Sequence, residues 1–159
     1  YNNYKLKKGI RLTFLAITIN LIIAAIIIIT MFGNINDLTD ILSDWPLNLG
    51  IGISALYISG YYIGKKMELL IDIKKWNSIL TGIIGLLIIL LIGILFGSTI
   101  GFLQEGIENI DRENGLSNAL FDYYVKPLFW IMFFGIIPTI VFGGLIGFGI
   151  KKNVLQQRI

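Results

Sequence analysis

Hydrophobic residues in this chain are concentrated in four long runs that contain no charged side chain. The runs cover residues 12–36, 45–64, 76–104 and 127–150, and each is 20 to 29 residues long. About 20 apolar residues in an α-helix cross the roughly 30 Å hydrocarbon core of a bilayer. The pattern therefore predicts an all-α integral membrane four-helix bundle in a single domain, 1–159, with membrane-spanning helices at about 12–32, 46–64, 79–103 and 127–150.

Lysine and arginine are distributed unevenly among the segments that flank these runs. The N-terminal segment, the second loop and the C-terminal tail hold 4, 4 and 3 cations, whereas the first and third loops hold 0 and 2. Eight of the ten acidic residues lie in those first and third loops. Because cytoplasmic loops carry the excess of Lys and Arg, both termini are expected in the cytoplasm. The many isoleucines and few alanines favour a bacterial source, and hence a bacterial plasma membrane.

The loops carry an apolar pattern of their own. Leu69, Leu70, Ile73 and Trp76 recur at helical spacing in the second loop, and a similar pattern occurs in the first loop and after Gly115 in the third. Such segments are typical of short amphipathic helices that lie in the membrane interface. We expect one in each loop.

Two features of the chain admit a second interpretation. The first run follows a basic segment, as a signal peptide would, but it is longer than a signal sequence and ends in Thr30-Met31-Phe32 without small residues for cleavage. A membrane span is therefore favoured. The halves of the chain also resemble each other weakly, with Pro46 and Lys65 corresponding to Pro127 and Lys151, and a duplication stays an open alternative.

Glycines at four-residue spacing place small residues on one face of three of the predicted helices. Such faces let neighbouring helix backbones approach closely, which matters in lipid because little hydrophobic force drives helices together there. Packing within one chain is the favoured interpretation, and contact with a second copy or a partner subunit is the alternative. The candidate helix-packing residues are Gly60, Gly64, Gly93, Gly97, Gly101, Gly143 and Gly147.

Three polar residues are predicted to share a cluster inside the membrane. Asn20 on the first helix and Tyr57 on the second lie at similar depth, so we expect them to form a hydrogen bond or to share a cluster with Ser54. The cluster is either structural or the wall of a small polar cavity. Pro138, near the middle of the fourth helix, removes a backbone donor and predicts a kink.

The first and third loops form a candidate outer acidic surface. Its charge would attract cations, cationic peptides or a basic partner surface, and the alternative is a solvated face that follows from the topology alone. The residues are Asp37, Asp40, Asp44, Glu105, Glu108, Asp111 and Glu113.

Several classes of chemistry lack the residues they need. The chain contains no Cys and no His, which argues against thiol redox relays and Cys/His zinc sites. No charged residue lies within the four runs, whereas proton-coupled transporters usually need an intramembrane acid or base. We therefore predict no enzymatic activity, no cofactor, no metal site and no nucleic-acid partner.

Two functions fit this pattern best. The favoured one is a small non-enzymatic membrane protein, such as an accessory subunit, scaffold or immunity-type protein. It would act in the lipid bilayer by binding another membrane component, either a partner membrane protein or a second copy. The alternative is a small channel, carrier or lipid transporter, with the second and fourth helices lining the route. An enzyme that uses loop residues at the membrane surface is a third hypothesis.

Overall fold

The computed structural model describes residues 7–32, 43, 46–107, 110 and 115–156, which are almost entirely helical and include no β-strand. Four helices are long: α1 (Lys7–Phe32), α2 (Pro46–Asp72), α3 (Ser78–Gly101) and α5 (Lys126–Gln156). A short helix, α4 (Leu116–Leu120), precedes α5. Two π-helical segments, Phe102–Gly106 and Phe121–Val125, extend the ends of α3 and α5.

Three helical stretches are both long and apolar enough to cross a membrane. They are Lys8–Met31, Ser78–Gly106 and Leu116–Lys152. These stretches confirm the predicted all-helical class and suit a membrane, but they number three, and the predicted fourth span is not among them. The remaining long helix, α2, has 27 residues but carries more polar side chains, so its hydropathy alone does not mark it as a span.

The four long helices pack side by side, and each is antiparallel to its neighbours. In the described part of the chain, α1 packs on α2, α2 on α3, α3 on α5 and α5 on α1. We call the end with Gly9, Gly64 and Ser78 the basal end, and the end with Asn48, Gly101 and Lys126 the distal end. The buried core lies between the helices towards the basal end and includes Ala16, Ile17, Met67, Ile71, Leu86, Ile89, Ile146 and Ile150.

A tight turn fixes the antiparallel arrangement of α2 and α3. Lys75 has a φ of 56°, a left-handed conformation that is uncommon for a residue other than glycine. Asn77 then caps α3, its Oδ1 accepting hydrogen bonds from the backbone N–H groups of Ile79 and Leu80 at 3.1 and 3.3 Å. So short a connection places the basal ends of the two helices in contact.

The three loops give three different outcomes for the predicted interfacial helices. In the second loop, the apolar residues through Ile71 belong to α2 itself, which continues beyond residue 64 to Asp72. A separate amphipathic helix was the wrong expectation there, because Met67 and Ile71 are buried in the core. The segment after Gly115 forms α4, which is continuous with α5. The first-loop helix falls outside the described residues.

Candidate functional site

One face of α2 is packed against α1 at the basal end. A Cβ atom placed on Gly64 would lie 2.8 Å from Oγ1 of Thr13 and 3.2 Å from the carbonyl oxygen of Gly9. A Cβ on Gly60 would overlap the side chain of Ile17. Gly64 therefore lies where the two backbones approach closely, and Gly60 leaves room for the side chain of Ile17.

A different part of the α2 surface meets α3 at the distal end. A Cβ on Gly97 would lie 3.4 Å from the carbonyl oxygen of Asn48, and one on Gly101 would lie 3.1 Å from Asn48 Nδ2. Gly93 lies against Leu56, where an added Cβ would overlap the leucine methyl group. The structure thus places the three evenly spaced glycines of α3 on α2.

The closest helix contact in the described chain joins α3 to α5. A Cβ on Gly147 would overlap the carbonyl oxygen of Ser78, and one on Gly82 would overlap the carbonyl oxygen of Gly143. Gly82 is missing from the sequence-based selection because it lies off the regular glycine stripe of α3. The signal was nevertheless present, since Ser78 and Gly82 form a pair of small residues four positions apart.

The opposite face of α2 has no neighbour in the described structure. It consists of Leu47, Gly50, Ser54, Ile58 and Tyr61, which recur at intervals of three or four residues and are all exposed. Tyr62, beside Tyr61, is exposed as well. We call Leu47, Gly50, Ser54, Ile58, Tyr61 and Tyr62 the outward face of α2. A helix with this composition presents hydroxyl groups and bare backbone to its surroundings.

The three residues of the predicted polar cluster, Asn20, Ser54 and Tyr57, form no hydrogen bond with one another in the described structure. The hydroxyl of Tyr57 lies 2.8 Å from Oγ1 of Thr18, and the ring packs edge-to-face on Phe14 at 5.3 Å between centroids. Ser54 donates to the carbonyl oxygen of Gly50 at 2.7 Å. The Oδ1 atom of Asn20 is buried and has no hydrogen-bond partner among the described residues. Thr18, rather than Asn20, thus lies within hydrogen-bonding distance of Tyr57.

A second buried amide was missed by the sequence analysis. Oδ1 of Asn48 is likewise buried without a hydrogen-bond partner in the described chain, at the distal contact of α2 with α3. Nearby, Tyr124 donates to Oγ1 of Thr99 at 3.2 Å, and the ring of Phe102 packs on those of Tyr123 and Tyr124.

Glu68 joins α1 to α2 at the basal end. Its Oε2 accepts a hydrogen bond of 2.9 Å from the backbone N–H of Gly9, in the first turn of α1, where N–H groups have no partner within the helix. Burial raises the pKa of the Glu68 carboxyl above its usual value, the Gly9 N–H lowers it, and the neighbouring charge of Asp72 raises it further. The residue is one of two acidic residues in the otherwise basic second loop.

Most of the predicted acidic surface lies outside the described residues, namely Asp37, Asp40, Asp44, Glu108, Asp111 and Glu113. Glu105 is described and exposed, and its Oε2 accepts a hydrogen bond of 3.3 Å from Tyr123. In the described ranges, no three His, Cys, Asp or Glu side chains come together in a way that could hold a metal ion.

An apolar groove of about 890 Å³ runs along the distal half of α5. Ile27 of α1 forms one side, and residues from Val125 to Pro138 form the rest, including Phe129, Phe133 and Ile137. Pro138 therefore lies at the inner end of this groove, inside a continuous helix. We call this feature the α1–α5 groove.

Comparisons with protein-family models, with curated proteins and with solved structures found no match to this chain. A function must therefore be argued from the surfaces described above.

Proposed function

We propose that the chain crosses a bacterial plasma membrane four times, with α2 as the fourth span. With 27 residues at about 1.5 Å each, α2 is roughly 40 Å long, which exceeds the hydrocarbon core. It lies between α1 and α3, both apolar enough to span, and packs on α1 towards the basal end and on α3 along its length. A helix held in this way occupies the same depth as its neighbours.

Both termini are proposed to be cytoplasmic, which makes the basal end the inner one. The support is the excess of lysine and arginine in the segments at that end. The absence of native cysteine allows a clean test with single-cysteine variants. We expect Ser43→Cys to react with a membrane-impermeant maleimide in intact cells, and Lys74→Cys to react only after permeabilisation. Both side chains are exposed, and the reverse labelling pattern would refute the orientation.

The proposed function is non-enzymatic binding of another membrane component through the outward face of α2. The observation that supports it is the composition of this face: Ser54, Tyr61 and Tyr62 are exposed on the helix that is least apolar of the four. The Ser54 hydroxyl bonds to the Gly50 carbonyl oxygen within the helix, and small and polar residues on an exposed helix face are typical of contacts between membrane helices. The same role suits an accessory subunit, a scaffold or an immunity-type protein.

Photo-crosslinking from two matched positions tests this function. A photoreactive phenylalanine analogue is placed at Ile58, 62% exposed on the outward face, or at Ile84, 53% exposed on α3. We expect a protein adduct from position 58 in native membranes and at least about fivefold less from position 84, because a specific contact concentrates on a few residues. The mass of the adduct identifies either a distinct protein or a second copy.

A third variant, Ser54→Leu, guards against unspecific reaction at position 58. It fills the space between Gly50 and Ile58 with a larger side chain and should reduce the adduct. Equal adducts from positions 58 and 84, or an adduct that Ser54→Leu leaves unchanged, would mean that lipid covers this face.

A second candidate is a small carrier or lipid transporter, with α2 and α5 lining the route. The α1–α5 groove supports the α5 side of such a route, since an apolar groove open to the hydrocarbon suits a lipid substrate, whereas α2 contributes no lining residue to it. Transfer of a labelled phospholipid between the leaflets of proteoliposomes separates the two roles, because a protein that only binds a partner leaves the transfer rate at that of empty vesicles.

A further inference from the structure

The α1–α5 groove offers an occupant apolar contacts along its whole length. The residues that line it are aliphatic, aromatic, methionine or proline side chains, without a hydroxyl, an amide or a charge. At the basal end, by contrast, α1 and α5 are in close contact: Ala16, Ile17, Ile146 and Ile150 share one buried cluster. The two helices therefore meet at one end and leave a space at the other.

The groove lies at the depth of the hydrocarbon core of the membrane. It lies between Lys8–Met31 and Leu116–Lys152, two of the stretches that are long and apolar enough to span a membrane. Val125 and Pro138 mark its ends along α5, and the 13 residues between them correspond to about 20 Å. One leaflet contributes roughly 15 Å of hydrocarbon, half of the core. The groove therefore reaches from the interface to about the middle of the membrane.

Two charged residues, Lys126 and Asp122, lie close in sequence to Val125, the lining residue at the distal mouth of the groove, although neither lines the groove itself. Lys126 follows Val125 directly, and its Nζ forms an ion pair of 2.6 Å with Asp122 while about half of the lysine side chain stays exposed. A phospholipid with a zwitterionic head group carries a phosphate and an ammonium close together. The pair offers each of these charges a counterpart, and a free fatty acid could use the lysine alone.

From the length, composition and charged mouth of this groove, we infer that it holds one acyl chain of a phospholipid, with the head group at Lys126 and Asp122. Aromatic rings build part of its wall: Phe129 stacks on Phe133, and Phe134 also lines the groove. Such rings lose little conformational freedom when an alkyl chain packs on them. The site is separate from the outward face of α2, which contributes no lining residue.

Native mass spectrometry of the purified protein in nanodiscs of phosphatidylethanolamine tests the inference. The wild-type chain is expected to retain one phospholipid when the bulk lipid is stripped. Ile137→Trp, at a lining residue that is 69% exposed, should lower the retained fraction about tenfold by filling the groove. Leu145→Trp, on the same helix and 58% exposed but outside the lining, is the matched control and should retain the lipid.

A second variant tests the site without adding a larger side chain. Phe129→Ala removes part of the wall without blocking it and should also weaken retention, while helix content by circular dichroism stays at the wild-type value. Equal retention in all four proteins, no retained lipid in the wild type, or retention of a free fatty acid in place of a phospholipid would each overturn the inference. Loss of a dimer, instead of lipid, in Ile137→Trp would also overturn it, since a second copy would then be the occupant.

Discussion

Alanine in place of Gly147 is expected to lower the free energy of unfolding by about 1 to 3 kcal/mol, the range for overpacking a buried contact. The added Cβ would overlap the carbonyl oxygen of Ser78 and lie 2.6 Å from its carbonyl carbon. These atoms belong to the backbone of α3, so no rotamer change can relieve the overlap, and α3 and α5 must move apart. Separation would weaken packing along their whole contact.

Gly144→Ala is the matched control for this substitution. It lies three residues away on the same helix, and its Cβ would meet Ile79 Cγ2 at an ordinary 3.7 Å. Because alanine favours helix over glycine by about 1 kcal/mol, this variant should be as stable as the wild type or slightly more so. Thermal or SDS-induced unfolding in detergent micelles measures both variants. Equal stability of the two would contradict the contact between the α3 and α5 backbones.

Alanine in place of Met67 is expected to cost about 3 kcal/mol, near the middle of the range for truncating a buried methionine. Met67 is 2% exposed and fills the space above Gly85, where an added Cβ would overlap its Sδ. Truncation leaves a cavity in the core between α2 and α3. Thermal or SDS-induced unfolding in detergent micelles measures the decrease in the free energy of unfolding.

Two further variants show whether the cavity is the cause. Met31→Ala makes the same chemical change at a residue that is 55% exposed, and it should alter stability by less than about 0.5 kcal/mol. Gly85→Ala should be better tolerated in the Met67→Ala background than in the wild type, because the new methyl group enters the space the thioether left. Additive effects of the two substitutions would argue against direct contact between these residues.

The periodic and compositional features of the chain were enough to predict its helices. Uncharged runs longer than a membrane span anticipated α1, α3 and α5, because a long apolar sequence has few stable alternatives to a helix in lipid. The start of α2 at Pro46 was also anticipated, since proline suits the first turn of a helix. Its end was not: charged residues at Lys65 and Lys66 suggested a stop, yet Met67 and Ile71 continue the buried stripe to the next turn of the chain.

Which polar residues bond to each other cannot be read from their spacing in the sequence, because it depends on side-chain length and on how the helices are rotated. Asn20 and Tyr57 were expected to share a cluster, but a tyrosine side chain is long, and Thr18 lies within hydrogen-bonding distance of its hydroxyl. Gly82 and Glu68 illustrate the same limit, since each acquires its role from a backbone on another helix. The helix rotation that brings them together is set by the packing of all four helices at once.

The sequence by itself determined that this chain is helical, that most of it suits a lipid environment, and which residues carry charge at each end of the helices. Local composition decides these properties, because hydrocarbon excludes charge and requires every backbone group to be paired within its own segment. Only the tertiary structure decided that α2 leaves Ser54, Tyr61 and Tyr62 exposed and that α1 and α5 leave a groove between them. Both features depend on helix rotation and crossing, which arise from contacts between residues far apart in the chain.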